Sequence, residues 1–336
     1  MAQNSWTRRH FLGAISSTPL AGIAGGLAFG ISAPARAADA AWPTKPVRLM
    51  VGFPPGGGAD AIARLVGRKL EVELGQPFVV DNKNGATGTI CSAEVARSTP
   101  DGYTLQAAHV SSNAIAPMLL AKGRFDPIKD FTPIGLIGIT PHVLAVNSKS
   151  HLQSLDQLIK YAKANPGKLT FMSAGVGSSP QLAGEEFKRK AGIDMLHVPF
   201  KGTGEALNAL LANEVDMTFS STGSVMQHVK SGRLRLLAVC SPKRLASMPN
   251  LPAIAEVLPG YEAYTWYGLA GPAGLPAPVV SKLEKAMQKI VQQPDFGKRM
   301  ADLDAEVKPM TTAQFNEFWR AEVTKYQTLI KLAKLA

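Results

Sequence analysis

Short apolar runs of strand length alternate with stretches of helical periodicity along nearly the whole chain, and Gly/Pro-rich junctions separate them. Residues 47–52 form one such run. A stripe of Ile62, Leu65, Val66 and Leu70 follows at i, i+3, i+4, i+8, and Gly75 and Pro77 end it. Residues 78–80 read as the next strand, 93–97 as helix and 103–107 as strand after a Pro100-Asp101-Gly102 turn. Residues 134–139 and 143–146 read as two apolar runs hinged at Pro141. The pattern then restarts. Ser154 with Gln157 suggests a capping box, 169–172 a strand, and 175–180 a Gly/Ser loop opening a helix through Lys190. Strands are expected at 195–198, 215–219 and 235–239, with helices around Leu207–Leu211 and Val225–Val229. Val280, Leu283, Met287, Ile290 and Val291 share one face of a late helix. Thr311 and Gln314 cap a last one carrying Phe315, Phe318, Trp319, Tyr326, Leu329 and Ile330. Strands separated by helices at this spacing predict an α/β fold with mostly parallel sheets flanked by helices. Two such blocks in 336 residues predict two lobes.

The first forty residues read as an address. Thr7-Arg8-Arg9-His10-Phe11-Leu12 resembles a twin-arginine export signal, a mild apolar stretch covers 13–31, and Ala35-Arg36-Ala37 is a small-x-small cleavage pattern. A signal at 1–37 predicts a mature chain beginning near Ala38, soluble in the periplasm. The leader's three arginines account for three of the formal +11 charges, leaving +8. A basic excess of this kind attracts anions. The lysines and arginines are scattered, without a basic run, finger spacing or aromatic cluster, so nucleic acid is not the expected partner. Two cysteines, Cys91 and Cys240, exclude a disulfide scaffold and a Cys-based zinc site.

Ligand sites in parallel sheets form beyond the carboxyl ends of strands, and five strand-end loops are rich in Gly, Ser and Thr. Phe53-Pro54-Pro55-Gly56-Gly57-Gly58-Ala59-Asp60 lets backbone N–H groups approach an anion at a helix start, or is a glycine-rich tight turn with no ligand. It lacks both the P-loop ending and the dinucleotide fingerprint. Gly175-Val176-Gly177-Ser178-Ser179 places hydroxyls where a helix begins, to cap it or to turn toward a carboxylate. Phe200-Lys201-Gly202, His109-Val110-Ser111-Ser112-Asn113 and Phe219-Ser220-Ser221-Thr222 complete the set. There is no G-x-S-x-G elbow and no H-E-x-x-H, and the six histidines are dispersed.

The mature chain resembles the substrate-binding proteins of tripartite tricarboxylate transporters, the Bug family. The likeness runs from Trp42-Pro43-Thr44-Lys45-Pro46-Val47 to the last helix. It passes through Phe53-Pro54-Pro55-Gly56-Gly57-Gly58-Ala59-Asp60, Pro100-Asp101-Gly102-Tyr103-Thr104-Leu105, Lys129-Asp130-Phe131-Thr132-Pro133, Gly175-Val176-Gly177-Ser178-Ser179, His197-Val198-Pro199-Phe200-Lys201-Gly202 and Pro272-Ala273-Gly274-Leu275-Pro276. The resemblance implies a periplasmic-binding-protein-like fold of type II that closes on a small organic acid and delivers it to a two-subunit membrane permease. It implies a non-enzymatic protein without cofactor or metal, and a monomer is expected. It implies ligand contacts from the glycine loop and the Gly/Ser loop, and with the other polar strand ends the expected contacts are Phe53, Gly57, Gly58, Ala59, Asp60, His109, Ser111, Ser112, Asn113, Gly177, Ser178, Ser179, Phe200, Lys201, Gly202, Ser220 and Ser221. With crossings near Thr140–Pro141 and Thr265–Tyr267, lobe one would comprise 43–141 plus 266–336 and lobe two 142–265. A bond between Cys91 and Cys240 would then lock the hinge, so two free thiols are expected.

The chain departs from the family pattern at Ala59, where Thr is common, at Pro180-Gln181, where His follows the serines, at Phe200 for Tyr, and at Ser220 for Asp. A missing acidic partner points to a dicarboxylate or aromatic carboxylate rather than an amino acid. A sensor presenting ligand to a membrane kinase would use the same fold and cleft. A hydrolase built on Ser178 or Ser179 with a distant histidine is the enzymatic alternative.

Overall fold

The structure, a computed structural model, describes residues 42–335, so the export signal lies outside the described residues. The first half contains β1 (Val47–Val51), α1 (Gly58–Leu74), β2 (Phe78–Asn82), α2 (Thr89–Ala96), β3 (Thr104–His109) and α3 (Pro117–Leu120). A 17-residue strand, β4 (Phe131–Asn147), leads into the second half. There follow α4 (Leu155–Ala164), β5 (Thr170–Ser173), α5 (Ser179–Ala191), β6 (Leu196–Pro199), α6 (Thr203–Leu211), β7 (Met217–Ser221), α7 (Thr222–Lys230) and β8 (Leu234–Val239). The chain then returns through β9 (Tyr264–Pro272) to α8 (Ala277–Val291), α9 (Pro294–Asp302) and α10 (Thr312–Leu332).

The parallel pairings are those the alternation predicts. β1 lies between β2 and β3, and β5 lies between β6 and β7. The long strands add antiparallel ladders at the centre, giving the order β2-β1-β3-β9-β4-β7-β5-β6, with β8 also on β4. β9 pairs with β3 and with β4 from Phe131 to Pro141. From His142 onward β4 pairs instead with β7 and β8. One strand thus serves both sheets and changes partner between Pro141 and His142.

Alternation sorts each strand onto two faces. In β1, Val47, Leu49 and Val51 join the cluster under α1 and α8, while Met50 joins the opposite one with Trp266 and Trp319. In β4, Leu144 and Val146 face one side of the second sheet and Val143 the other. α10 buries Phe315, Trp319, Val323, Tyr326 and Ile330. Its buried Glu322 accepts from Tyr264 Oη at 2.8 Å and Trp266 Nε1 at 3.1 Å, tying the last helix to β9. Cys91 and Cys240 are both free and buried. Burial pushes each thiol up to about 12, so neither is a ready thiolate.

Three expectations need correction. The runs at 134–139 and 143–146 are one strand, because Pro141 has an extended-compatible φ and pairs only with Tyr264, where β9 begins, so no ladder bond is lost. β9 went unread because both its faces are buried, leaving no alternation to see. At Ser154 only half the capping box forms: Ser154 Oγ accepts from Gln157 N at 3.2 Å, while Gln157 Oε1 turns to Gln153 N at 2.8 Å. At Thr311 and Gln314 both halves form, as the sequence predicts.

Close packing of β9 on α10 gives a direct test. A Cβ on Gly268 would lie 2.3 Å from the Phe315 ring, whereas one on Gly297 meets no atom within 4 Å. Gly268→Ala is expected to destabilise the protein by about 1–3 kcal/mol in urea titration. Gly297→Ala, inside α9, is expected to be neutral or to stabilise by about 0.5–1 kcal/mol.

Candidate functional site

The glycine loop after β1 is built by a carboxylate. Asp60, on the first turn of α1, accepts from Gly56 N at 2.9 Å, Arg64 Nε at 3.0 Å and Asn82 Nδ2 at 2.9 Å. Asn82 Nδ2 also donates to Phe53 O. Burial alone would raise the Asp60 carboxyl, but these bonds outweigh it and hold it below the usual range. Asp60 is therefore committed inside the protein, and its work is to shape the loop. Gly57 caps α1 without a side-chain bond, and Gly57 and Gly58 are exposed. The positive end of α1 is thus open.

At the end of β3 the chain makes a buried turn over Ser111–Ile115. Asn113 Oδ1 accepts from His109 N at 3.1 Å and Ser112 Oγ at 2.6 Å, and Asn113 Nδ2 donates to Gln106 Oε1 at 3.0 Å. Ser112 and Asn113 are spent holding the turn. The His109 ring sits 4.5 Å from Phe53 and 5.2 Å from Tyr267, centroid to centroid. An atom added to Gly58 would lie 3.7 Å from Tyr267 Oη, and one on Gly88 would strike Ser112 and approach Phe53 at 3.5 Å. Phe53, Gly58, His109, Ser112 and Tyr267 therefore converge at the strand ends of the first half.

In the second half the Gly/Ser loop meets this cluster directly. Ser179 N donates to Ser111 Oγ at 3.1 Å, and Thr87 Oγ1 donates to Val176 O at 2.7 Å. A Cβ on Gly177 would lie 2.8 Å from that of Ala116. Thr87 reaches its partner from φ +53°, an unusual conformation for a β-branched residue. The other loop donors turn inward: Gly177 N to Gln181 Oε1 at 2.7 Å and Ser178 N to Gly175 O at 3.2 Å. Ser178 Oγ also goes to Gly175 O.

Beneath the seam, Ser179 Oγ lies 3.1 Å from Thr265 Oγ1 and 3.5 Å from His142 Nε2, and His142 Nε2 is 2.9 Å from Thr265 Oγ1. This puts a serine beside a histidine, as the hydrolase alternative requires. A nucleophile's base must itself be oriented by a third group. His142 Nδ1 is buried with no partner, and burial lowers His142 to about 3. The pair has no relay behind it.

The remaining predicted residues stay apart. Phe200 is half-buried, with its carbonyl near Gly175, while Lys201 is exposed and its N–H bonds Glu205. Gly202 starts α6. Ser220 Oγ bonds Thr218 and Ser221 Oγ bonds Ser224. No hydrogen bond among the described residues joins Lys201, Ser220 or Ser221 to the cluster. Among the described residues no group of three or more His, Cys, Asp or Glu is placed to hold a metal ion. A cavity of about 650 Å³ lies elsewhere, between α5 and α10, and shares only Ser179 with the predicted set. Sequence reasoning missed Thr87, Gly88, His142, Thr265 and Tyr267. Thr265 and Tyr267 fall within the predicted crossing, which is the signal that points to them.

Residues 62–335 match the family model described as tripartite tricarboxylate transporter family receptor. Protein BugT of Bordetella pertussis is 33% identical over 304 residues, covering 90% of this chain and 93% of its own length. Among solved structures, R. palustris Rpa4515 with adipate superposes with TM-score 0.81 at 31% identity, covering 87% of this chain and 98% of that one. MatC from Rhodopseudomonas palustris with bound malate does so with TM-score 0.78 at 30% identity, covering 86% and 100%. Periplasmic binding protein BugD superposes with TM-score 0.79 at 34% identity, covering 88% of this chain and 99% of that one, and this chain has the two-lobed α/β fold of periplasmic binding proteins.

The two buried histidines predict a pH dependence. Burial lowers both His109 and His142 to about 3, His109 being pushed further by His142 nearby. The unfolded chain protonates them near pH 6.5 and the folded chain does not, so the unfolded state binds more protons between those values. Stability therefore falls as pH drops below about 6.5, by up to about 1.4 kcal/mol per pH unit for each histidine. The melting temperature is expected to be lower at pH 5.0 than at pH 7.5, with a smaller gap in His142→Gln. An undiminished gap in that variant would remove His142 from the account.

Proposed function

Because the chain belongs to the tripartite tricarboxylate transporter receptor family, the Bug family, we propose that it captures a small organic acid at the seam between its two halves and delivers it to a two-subunit membrane permease. The observation that carries this reading is the meeting of two strand-end loops: the glycine loop side with Phe53, His109 and Ser111, and the Gly/Ser loop ending in Ser179. The bound adipate and malate of the two structural relatives support a carboxylate as ligand. The lobes proposed are 43–141 plus 266–336 and 142–265, a division supported by the change of partner along β4. Hinge closure between them is the motion that takes up and releases the acid. No described helix is long and apolar enough to cross a membrane. The proposed location is the periplasm, after cleavage near Ala37, and the proposed state is a monomer without enzymatic activity.

The cluster is poor in free charge. Arg64 is bonded to Asp60 and Lys201 is exposed. Recognition in this reading falls to dipoles: the open start of α1, hydroxyls and imidazole. Asp60 is fully engaged, so no free carboxylate among the predicted residues waits for a ligand ammonium. A dicarboxylate or aromatic carboxylate is the preferred class.

A thermal-shift screen with malate, succinate, adipate, benzoate and aspartate tests the reading. An acid present at about 100 times its dissociation constant stabilises by roughly 2.7 kcal/mol. Failure of every acid to raise the melting temperature, with calorimetry equally blank, would sink the proposal. Ser111→Ala, which removes the acceptor of the cross-seam bond, is expected to weaken the best acid by about five- to a hundredfold, the range for an orphaned buried donor.

A further inference from the structure

His109 occupies a position where hydrogen bonding fixes both the proton and the ring. Ser111 N donates to His109 Nδ1 at 3.0 Å, so Nδ1 is an acceptor. In a neutral imidazole the hydrogen must then lie on Nε2. The backbone is pinned as well: His109 N donates to Asn113 Oδ1, which also accepts the Ser112 hydroxyl at 2.6 Å, and that hydroxyl lies 3.2 Å from His109 O. The ring is held between Phe53 and Tyr267, tilted 53° to one and 77° to the other. Its direction is set by packing on two sides and by a bond on a third.

Nε2 has no hydrogen-bond partner among the described residues. It is also absent from the buried orphaned atoms there, which are Trp42 Nε1, His142 Nδ1 and Arg235 Nη1. The atom is therefore not fully enclosed, although the residue as a whole is only 9% exposed. Among the described residues no carboxylate bonds to the ring, and the acid on the adjoining loop, Asp60, is filled by Gly56, Arg64 and Asn82. The titratable groups nearby are Tyr267, which packs edge-on against the ring and is pushed up to about 12 by burial, and His142, which burial lowers to about 3. Both are neutral at ordinary pH. The seam thus contains a rigid, uncharged N–H that no described residue accepts, on a ring packed against Phe53 of the glycine loop.

We propose that His109 selects the ligand: its Nε2–H, aimed by Ser111 and clamped between Phe53 and Tyr267, donates to an oxygen of the bound acid and rejects an ammonium at that position. The inference rests on the acid-binding reading above and adds to it the residue and the atom that discriminate. A donor held this rigidly cannot turn its lone pair outward, because that nitrogen is already used by Ser111. An ammonium placed there would face N–H against N–H, and a site built around one hydrogen bond discriminates strongly against a ligand that cannot complete it. The ring stays neutral through ordinary pH, so the discrimination does not depend on charge.

Calorimetric titration of malate, succinate, adipate and aspartate into wild type, His109→Leu, His109→Gln and His109→Glu tests this. Malate and aspartate make the sharpest pair, differing by a hydroxyl against an ammonium. Wild type is expected to favour the best diacid over aspartate. His109→Leu is expected to lose about ten- to a hundredfold in diacid affinity. His109→Gln, which keeps an N–H donor, should recover most of that loss. His109→Glu should move the malate-to-aspartate ratio toward aspartate. If wild type binds none of these four nor benzoate, the acid-binding reading fails and takes this inference with it; if it binds benzoate alone, this inference fails and that reading stands. If wild type binds a diacid and folded His109→Leu binds it equally well, the inference alone is overturned. Equal loss of affinity in the Leu and Gln variants overturns it too, for then the ring matters only by shape. An NMR readout on wild type covers variants that do not fold. The Nε2 nitrogen and proton of His109 should shift on addition of the best-binding acid, and an unmoved signal at saturation overturns the proposal.

Discussion

The architecture depends on one antiparallel ladder. β4 and β9 pair from Phe131–Pro272 to Pro141–Tyr264, and beyond Pro141 β4 continues alone into the second sheet. Part of the seam is built on these two strands. His142 and Thr265 belong to them directly, and Tyr267 pairs with His109 across β3 and β9. In the proposed division into lobes, β4 runs through the change of partner as one strand, so a small rotation there does not require breaking its ladders. Glu322 stiffens the same place from outside, receiving Tyr264 and Trp266 of β9.

Around this ladder the polar groups are unusually well used. Asp60 closes one loop, Asn113 another, and Gln181 part of a third. Buried polar groups must find partners, and each loop satisfies itself before any ligand arrives. Among the described residues of the seam, what remains open is a small set: the start of α1, the His109 Nε2–H, the buried His142 Nδ1, and the hydroxyls on which the two halves meet. This economy explains how a carboxylate could be held without a dedicated arginine. Fixed dipoles at a largely buried seam act at reduced dielectric and need no reorganisation. The same economy separates residues of similar appearance in the sequence. Ser111 and Ser179 bond across the seam, while Ser220 and Ser221 bond to their own neighbours.

Much of the molecule was legible from periodicity. The parallel strands, the helices between them and the glycine loops at their ends lie close to where apolar spacing and turn residues put them. The α10 cap at Thr311 is formed as its residues require. The family too could be recognised from ordered motifs. Less legible were the elements with no internal signature. β9 is buried on both faces and so shows no alternation, and α9 is short and polar on most of its surface. The strained turn at Ala86–Thr87 has positive φ at two non-glycine residues, which no turn rule anticipates.

The sequence by itself determined the local elements, their order and the places where the chain must turn, because these follow from spacing within a dozen residues. Tertiary structure alone decided that Pro141 lies within a continuous strand, that Asp60 is consumed by its own loop, and that His109 stands between Phe53 and Tyr267. Those outcomes depend on partners far away along the chain: Tyr267 is 158 positions from His109, and Ser179 is 68 from Ser111. Strand register brings them together, and register is settled by the packing of whole faces rather than by any short stretch of residues.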